Sequence, residues 1–347
     1  MGTSARQPLV LVETSNLPRE EWLAYRRKGI GGSDAAAVLG ISPFLTGRDL
    51  YYDKLGISAA ADDENWIAKE IGNRLEPLVA KIFSERTGLK VFQRKFMFQH
   101  PQHLWMLADL DYLVEMPAGS TAILECKTST SNAAGHWWYA GKEVVPAYYE
   151  SQGRHYMAVM ELNQVFFCCL LTDTHEVMIR SIDRDMAYEE ELIALEECFW
   201  TEHVLAKSPP EYTENGDLVL KSVQRILGPA ATDAPPVVIT PPQFGKVKQF
   251  LQLQEQKSEF DAKSRELERE MNRLKALIVA DMGNSCKALY EDAGCSYTIT
   301  YNPVYKQGIP KVGLDRLKIL HPEIYREFVR TSESRRFQIK KAADNAA

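Results

Sequence analysis

Glu125 and Lys127 alternate in an otherwise apolar run, Ile123-Leu124-Glu125-Cys126-Lys127-Thr128. In an extended chain a period of two puts the carboxylate and the ammonium on one face and turns Cys126 to the other. The apolar flanks predict a part-buried pair rather than a solvated surface one. Two further segments bring acids toward it. Trp105-Met106-Leu107-Ala108-Asp109-Leu110-Asp111-Tyr112 carries two, with Asp111 14 residues before Glu125, and Glu76 lies further upstream. Several carboxylates gathered at one end of a sheet need a cation to be tolerated. Mg²⁺ suits oxygen ligands and keeps waters and phosphate oxygens in its shell, and Mn²⁺ is expected to substitute. The chemistry would be in-line hydrolysis of a phosphodiester: the metal polarises the phosphoryl oxygen, lowers the pKa of a bound water and shields the leaving oxygen. Lys127 would hold or deprotonate the attacking water, or stabilise charge on the phosphorane. Asp109 and Asp111 are expected on one strand face, so spacing leaves either as the ligand.

The elements that position these residues follow from periodicity. Residues 64–88 predict one long helix with Ile67, Ile71, Leu75, Leu78, Val79, Ile82 and Phe83 on a repeating stripe, stopping near Gly88. Val91–Phe98, Trp105–Val114 and Thr121–Lys127 read as three strands, with Pro117 and Gly119 turning between the last two. Pro146 opens a helix through Val159, Val165–Leu171 and Glu176–Arg180 read as a hairpin, and 184–206 as an acidic helix. Residues 17–40 read as helix, glycine loop and helix, with Ser33-Asp34 at the second N-cap. Proline and glycine crowd Ser208–Pro242, which predicts a linker. The expected organisation is therefore a first domain at 1–212, a Pro-rich linker at 213–242 and a C-terminal module at 243–347. In that module Leu253, Phe260, Leu267 and Leu274 recur every seven residues of a long charged helix over 243–282, with Met271 and Ile278 widening the stripe. A self-associating coiled coil and a helical hairpin arm packing on its own chain both satisfy that pattern. Tyr297–Tyr301 reads as a strand and Leu314–Val329 as helix interrupted at Pro322.

Composition bounds the class. Apolar residues at 45% and charged residues at 25% of 347 exclude a largely disordered chain. No apolar run is long enough to span a bilayer, and MGTSARQPLV has no apolar signal core, so no membrane partner is expected and the cytoplasm is the expected location. The six cysteines form no C-x-x-C pair, which removes zinc and iron–sulfur patterns. The net charge of −6 hides an asymmetry: Asn302–Lys341 holds ten Lys/Arg against four Asp/Glu, leaving −12 on the remainder. An acidic outer face does not forbid a basic channel for a polyanion.

Read in order, Gly29-Ile30-Gly31-Gly32-Ser33-Asp34, Gly72-Asn73-Arg74-Leu75-Glu76, Leu110-Asp111, Glu125-Cys126-Lys127 and Tyr148-Tyr149-Glu150-Ser151-Gln152 form a set. Over roughly residues 18–200 it resembles the YqaJ-type viral recombinase family, which belongs with lambda exonuclease in the PD-(D/E)xK nuclease superfamily. The resemblance implies an α/β restriction-endonuclease-like core, a mixed central sheet flanked by helices, extended here by a long helix and a small α/β unit. It implies that Asp111 and Glu125 bind the metal with the main-chain carbonyl of Cys126, that Glu76 completes the acidic set, and that Lys127 is the catalytic lysine. Gln152 would orient Lys127 or the water. Arg26 and Ser33 match positions that contact a 5′-phosphate, and glycine N–H groups at a helix start suit that task. The chain departs from the family pattern with Ala-Asp-Leu-Asp-Tyr in place of Pro-Asp-Gly, where alignment favours Asp111, and with Arg154 where a second glutamine often stands.

The implied activity is Mg²⁺-dependent 5′-to-3′ resection of double-stranded DNA ends in phage-type homologous recombination, inside the bacterial host cell. A single-strand annealing protein is the implied partner and a ring trimer the implied assembly. An endonuclease or nickase on the same core, or a non-catalytic DNA-binding accessory, are the alternatives; cutting of closed circles separates the first and the intact acid–lysine set argues against the second. Trp137, Trp138, Tyr139, Tyr148 and Tyr149 are candidates for base stacking or core packing. His100, His103, His136 and His155 lack metal-ligand spacing, and Lys28, Arg48 and Arg74 read as DNA-path or surface cations.

Overall fold

The computed structural model describes residues 7–57, 66–117, 119–228, 235–292, 295–303 and 311–328. Internal contacts divide the chain into two units, Met1–Ala234 and Pro235–Ala347.

In the first unit β1 (Leu9–Glu13) precedes α1 (Arg19–Arg26), and β2 (Ile30–Gly31) runs directly into α2 (Gly32–Val38), followed by α3 (Gly47–Lys54). α4 (Trp66–Thr87) ends where Gly88 takes a φ of 73°, left-handed backbone that favours glycine. β3 (Lys90–Phe92), β4 (Phe96–Gln99), β5 (Met106–Asp109), β6 (Tyr112–Glu115) and β7 (Thr121–Ser129) follow. A 3-10 turn over Ser131–Trp137 and the ribbon β8 (Trp138–Tyr139) and β9 (Lys142–Glu143) lead into α5 (Ala147–Met160). β10 (Gln164–Leu171), β11 (Val177–Asp183), α6 (Met186–Cys198), a π-helical turn over Phe199–Leu205 and α7 (Gly216–Leu227) complete the unit.

The main sheet has the order β11-β10-β7-β6-β3. β10 runs parallel to β7 and the remaining pairs are antiparallel, the mixed sheet flanked by helices that was expected. A second sheet, β1-β4-β5-β2, lies in the same unit. β7 is apolar on both faces because each carries a helix. Ala122 and Leu124 join Val79, Ala80 and Phe83 of α4, whereas Ile123 joins Tyr156, Met157 and Val159 of α5. Phe83 and Leu124 are fully buried, each worth about 1.5–3 kcal/mol of hydrophobic transfer. Glycine sets the distance from α5 to its neighbours. A Cβ on Gly153 would lie 2.7 Å from Phe167 Cζ of β10, and one on Gly32 would lie 2.5 Å from the Tyr156 ring.

Several expectations are corrected. The strand predicted over Val91–Phe98 is two, β3 and β4, in different sheets, parted by the polar Gln93-Arg94-Lys95. The strand predicted over Trp105–Val114 breaks at Leu110–Asp111, where the chain leaves one sheet for the other. The N-cap of α2 is Gly31, and Asp34 sits three residues in, its carboxylate accepting the Gly31 N–H at 3.0 Å. The apolar stripe of α4 is buried only toward its C-terminal half: Ile67, Ile71 and Leu78 are exposed. α7 stands inside the stretch expected as linker, because its buried Ser222 donates to Asp49 Oδ1 at 2.9 Å and Arg225 pairs with Asp49 at 3.1 Å.

The second unit holds α8 (Pro241–Met282), the antiparallel hairpin β12 (Lys287–Asp292) and β13 (Cys295–Thr300), α9 (Lys311–Leu320) and α10 (Pro322–Phe328). Sequence reading missed β12. Pro322 opens α10, since a fixed φ and a missing N–H suit a first helical turn. Of the basic stretch, Lys306, Arg330, Arg335, Arg336, Lys340 and Lys341 lie outside the described residues. Among the described residues no helix is long and apolar enough to cross a membrane.

Candidate active site

Glu125, Lys127 and Gln152 close a ring of three hydrogen bonds. Lys127 Nζ donates to Glu125 Oε2 and to Gln152 Oε1, both at 2.9 Å, and Gln152 Nε2 donates to Glu125 Oε2 at 2.8 Å. The amide orientation follows from the partners: its oxygen must meet the ammonium and its nitrogen the carboxylate. β7 supplies Glu125 and Lys127 on the face toward α5, as its period of two requires, and α5 supplies Gln152. Glu125 is 1% exposed, and its second oxygen, Oε1, is buried without a hydrogen-bond partner among the described residues. Burial pushes the Glu125 carboxyl up to about 8, with the Asp111 charge adding to the rise and Lys127 opposing it. Burial works against the Lys127 ammonium, but Glu125 and Asp111 outweigh it and hold Lys127 above its ordinary value. In this arrangement the Lys127 ammonium donates to both partners.

Asp111 occupies the break between β5 and β6. Its Oδ2 accepts the Cys126 N–H at 2.9 Å, which fixes the acid beside the β7 backbone. The Cys126 side chain packs toward α4, so its thiol is turned from Glu125 and Lys127. Burial and the neighbouring acids push that thiol far up, leaving it protonated. Burial also raises Asp111. Glu76 reaches in from α4, 3.4 Å from Gln93 Nε2, and burial together with the Asp111 charge lifts it to about 7. A cavity of about 380 Å³ is lined by Glu76, Asp109, Asp111, Lys95, Arg26 and Ser33, among others.

At the other side of that cavity Arg26 Nη2 donates to Ser33 Oγ at 2.8 Å and to Asp34 Oδ1 at 2.7 Å. Lys54 Nζ takes the other Asp34 oxygen at 2.6 Å and also donates to the Arg26 carbonyl at 3.1 Å. Burial alone would raise Asp34, but Arg26 and Lys54 together hold it well below the usual carboxylate range. Trp22 lies beneath the guanidinium of Arg26, 5.1 Å from its ring centroid, and Arg19 approaches the same ring at 4.8 Å. Lys54, Trp22 and Lys95 were missed in the sequence. Lys54 and Lys95 lie in no motif there; Asp34 was visible, but as a cap.

The other candidates fall elsewhere. Trp137 is core, and Trp138 and Tyr139 are exposed. Tyr149 stands 5.9 Å from the Trp137 ring and 4.8 Å from Lys127 Nζ. His155 is fully buried between Glu196 and the Leu107 carbonyl. Arg154 pairs with Glu150 at 2.6 Å, Arg74 with Glu70 at 2.6 Å, Arg48 donates to the Pro210 carbonyl, and Lys28 lies over Tyr25.

Among the described residues no group of three or more His, Cys, Asp or Glu side chains is arranged around an ion position. Mg²⁺ does not require three, since it binds through one or two carboxylates and retains waters. The orphaned Glu125 Oε1, the Asp111 carboxylate and the adjoining Cys126 carbonyl are hard oxygen donors. The upward shifts of Glu76, Asp111 and Glu125 are what acids crowded in low dielectric show without a counter-charge. The residues fit a divalent cation.

Residues 21–163 match the model of the YqaJ-like viral recombinase domain, so the resemblance read from the ordered motifs holds over that segment. The chain is 28% identical over 343 residues to the YqaJ protein of Bacillus subtilis (strain 168), a match covering 98% of this chain and all of that one. Among solved structures, the alkaline exonuclease LHK-Exo from Laribacter hongkongensis is similar at 22% identity and a TM-score of 0.44, covering 59% of this chain and 98% of its own. A phage-related exonuclease from Haemophilus somnus 129PT is similar at 14% identity and a TM-score of 0.38, covering 52% and 96%.

Proposed function

We propose that the first unit is a Mg²⁺-dependent deoxyribonuclease that resects double-stranded DNA ends from 5′ to 3′ in phage-type homologous recombination. One observation carries the reading: a buried carboxylate oxygen, Glu125 Oε1, stands without a partner among the described residues, beside an acid and a fastened lysine. Burying such an oxygen costs stability unless something binds it. The proposed ligands are Asp111, Glu125 and the Cys126 carbonyl, with Glu76 completing the acidic set. The cation, when bound, would supply Lewis-acid activation of water and of the phosphoryl oxygen.

The protein's own groups divide the rest. Lys127, kept protonated, donates to the attacking water or to charge developing on the phosphoryl oxygens. Gln152 holds Lys127 in place through its oxygen and Glu125 through its nitrogen. Arg26 and Ser33 receive the terminal 5′-phosphate, with Asp34 and Lys54 fixing Arg26. The proposed nuclease domain runs from residue 1 through α7, past the expected end at 212, and the proposed C-terminal module is 243–347. A single-strand annealing protein is the proposed partner, a trimer the proposed assembly of the nuclease domain, and the host cytoplasm the proposed location.

The test is digestion of linear duplex labelled at either end, with and without 5′-phosphate, beside covalently closed circles. Mg²⁺-dependent release from 5′-phosphorylated ends is expected. Cutting of closed circles sinks the exonuclease reading, and hydrolysis undiminished in Glu125→Ala or Lys127→Ala sinks the site.

A further inference from the structure

α8 is one uninterrupted helix of 42 residues, about 63 Å long at 1.5 Å per residue. No turn falls within Pro241–Met282. Leu253, Phe260, Leu267 and Leu274, one every seven residues, are 65%, 70%, 66% and 47% exposed. Taken as heptad d positions, they place Lys257, Ser264, Met271 and Ile278 at a. Met271 and Ile278 are also exposed. A helix of this length draws most of its stability from packing an apolar face, and so long an apolar seam left in water marks an interaction site.

We infer that α8 pairs with α8 of a second copy of this chain as a parallel, in-register, two-stranded coiled coil. The flanking charges select the occupant and its direction. In a parallel pair each g residue faces the e residue of the next heptad across the seam. Lys263 then faces Glu268 of the partner subunit, and Glu270 faces Lys275 of the partner subunit. The two-fold axis repeats each contact, and no like-charged e–g pair arises, since Gln249, Gln256 and Leu277 fill the other g positions. Running the helices antiparallel with every layer matched keeps the Lys263–Glu270 attraction but sets Asp261 against Glu268 twice. Charge therefore favours the parallel pair. Lys257 at an a position weakens the seam but restricts register and oligomer size. Its ammonium reaches Asp261 at 2.7 Å, which leaves its methylene stem to cover the seam. The existing Glu270–Arg273 pair is exposed and exchanges readily. α8 belongs to the second unit, so the pairing joins copies from separate proposed trimers and stands independently of the nuclease reading.

The full-length protein tests it by cross-linking under mild oxidation. Leu253→Cys sits at d near one end of the seam, so it meets its own counterpart only in the parallel register. It is expected to give a disulfide-linked dimer, while Glu255→Cys, on the outer face, gives no more than the wild-type chain, whose exposed Cys198 and Cys286 set the background. Sedimentation supplies a second reading in which Lys263→Glu raises the dissociation constant of the α8 pair about tenfold. The double variant Lys263→Glu/Glu268→Lys restores it. Equal cross-linking of the two cysteine variants, or no recovery in the double variant, overturns the proposal.

Discussion

Trp22 Nε1 donates to Asp109 Oδ2 at 2.7 Å. Asp109 is thereby engaged, whereas Asp111, two residues on, turns to the β7 backbone. Sequence spacing left these two acids equivalent, and the sheet break between them makes them different. Asp111→Ala is expected to lower kcat by at least about 10³. Asp109→Asn, which keeps an acceptor for the indole, is expected to cost about tenfold or less. Steady-state kinetics on end-labelled duplex measures both, and equal losses would reverse the assignment.

Gln152 is predicted to act on kcat and not on substrate binding. Its side-chain amide hydrogen-bonds Lys127, Glu125 and Tyr156. Gln152→Ala should cut kcat about 10²-fold with KM within a factor of about three. A change confined to KM would place the residue on the substrate instead.

Metal affinity should rise with pH. Ligand carboxylates must shed their protons to bind, and burial lifts Glu125 to about 8 and Glu76, which completes the acidic set, to about 7. Below about pH 7 protons compete with the cation; above about pH 8 that competition ends. Calorimetric titration of Mg²⁺ at pH 6.5, 7.5 and 8.5 should show the dissociation constant falling and then levelling. A flat profile would mean that Glu125 is not a ligand.

His155 and Glu196 supply a pH-dependent stability term away from the cavity. Both are fully buried, with Nδ1 2.9 Å from the carboxylate and Nε2 2.9 Å from the Leu107 carbonyl. Burial opposes the imidazolium, but Glu196 and the two hydrogen bonds overcome it and raise the His155 pKa. A raised basic group contributes fully below its unfolded value of about 6.5, and the contribution is lost as pH rises through the folded value. Glu196→Ala should therefore cost about 3–5 kcal/mol at pH 6, and less as pH climbs past the folded pKa. Urea unfolding of both chains from pH 6 to 9 measures the difference, and a cost that grows with pH would contradict it.

Ser33→Ala is expected to weaken discrimination for 5′-phosphorylated over 5′-hydroxyl ends by about tenfold, because Asp34 still fixes Arg26. Lys54→Met should act chiefly on stability, leaving the buried Asp34 with one cation in place of two. Competition between the two kinds of end, read beside thermal melting, separates the roles.

Much of the site was legible because β7 alternates so regularly: Glu125, Lys127 and the turned Cys126 follow from period two alone. Gln152 needed the resemblance, since no local pattern says that α5 crosses over β7. The breaks at Gln93–Lys95 and Leu110–Asp111 were not legible. Each lies within a run of strand-forming residues, and which strand pairs with which is decided by packing and not by propensity. Lys54 was invisible for a related reason, its role being set by a long-range contact to Asp34 across 20 residues of chain.

The break at Leu110–Asp111 carries a last consequence. Two registers locate it at once, Met97 opposite Asp109 in one sheet and Tyr112 opposite Leu124 in the other. An acid on a loop tip can drift when the loop gains or loses a residue. Asp111 sits instead at a mitred corner, and inserting a single residue there would slip one ladder and turn its buried side chains outward. A change of length in the ribbon over 138–143, which belongs to neither ladder, would leave both registers and the acid where they are.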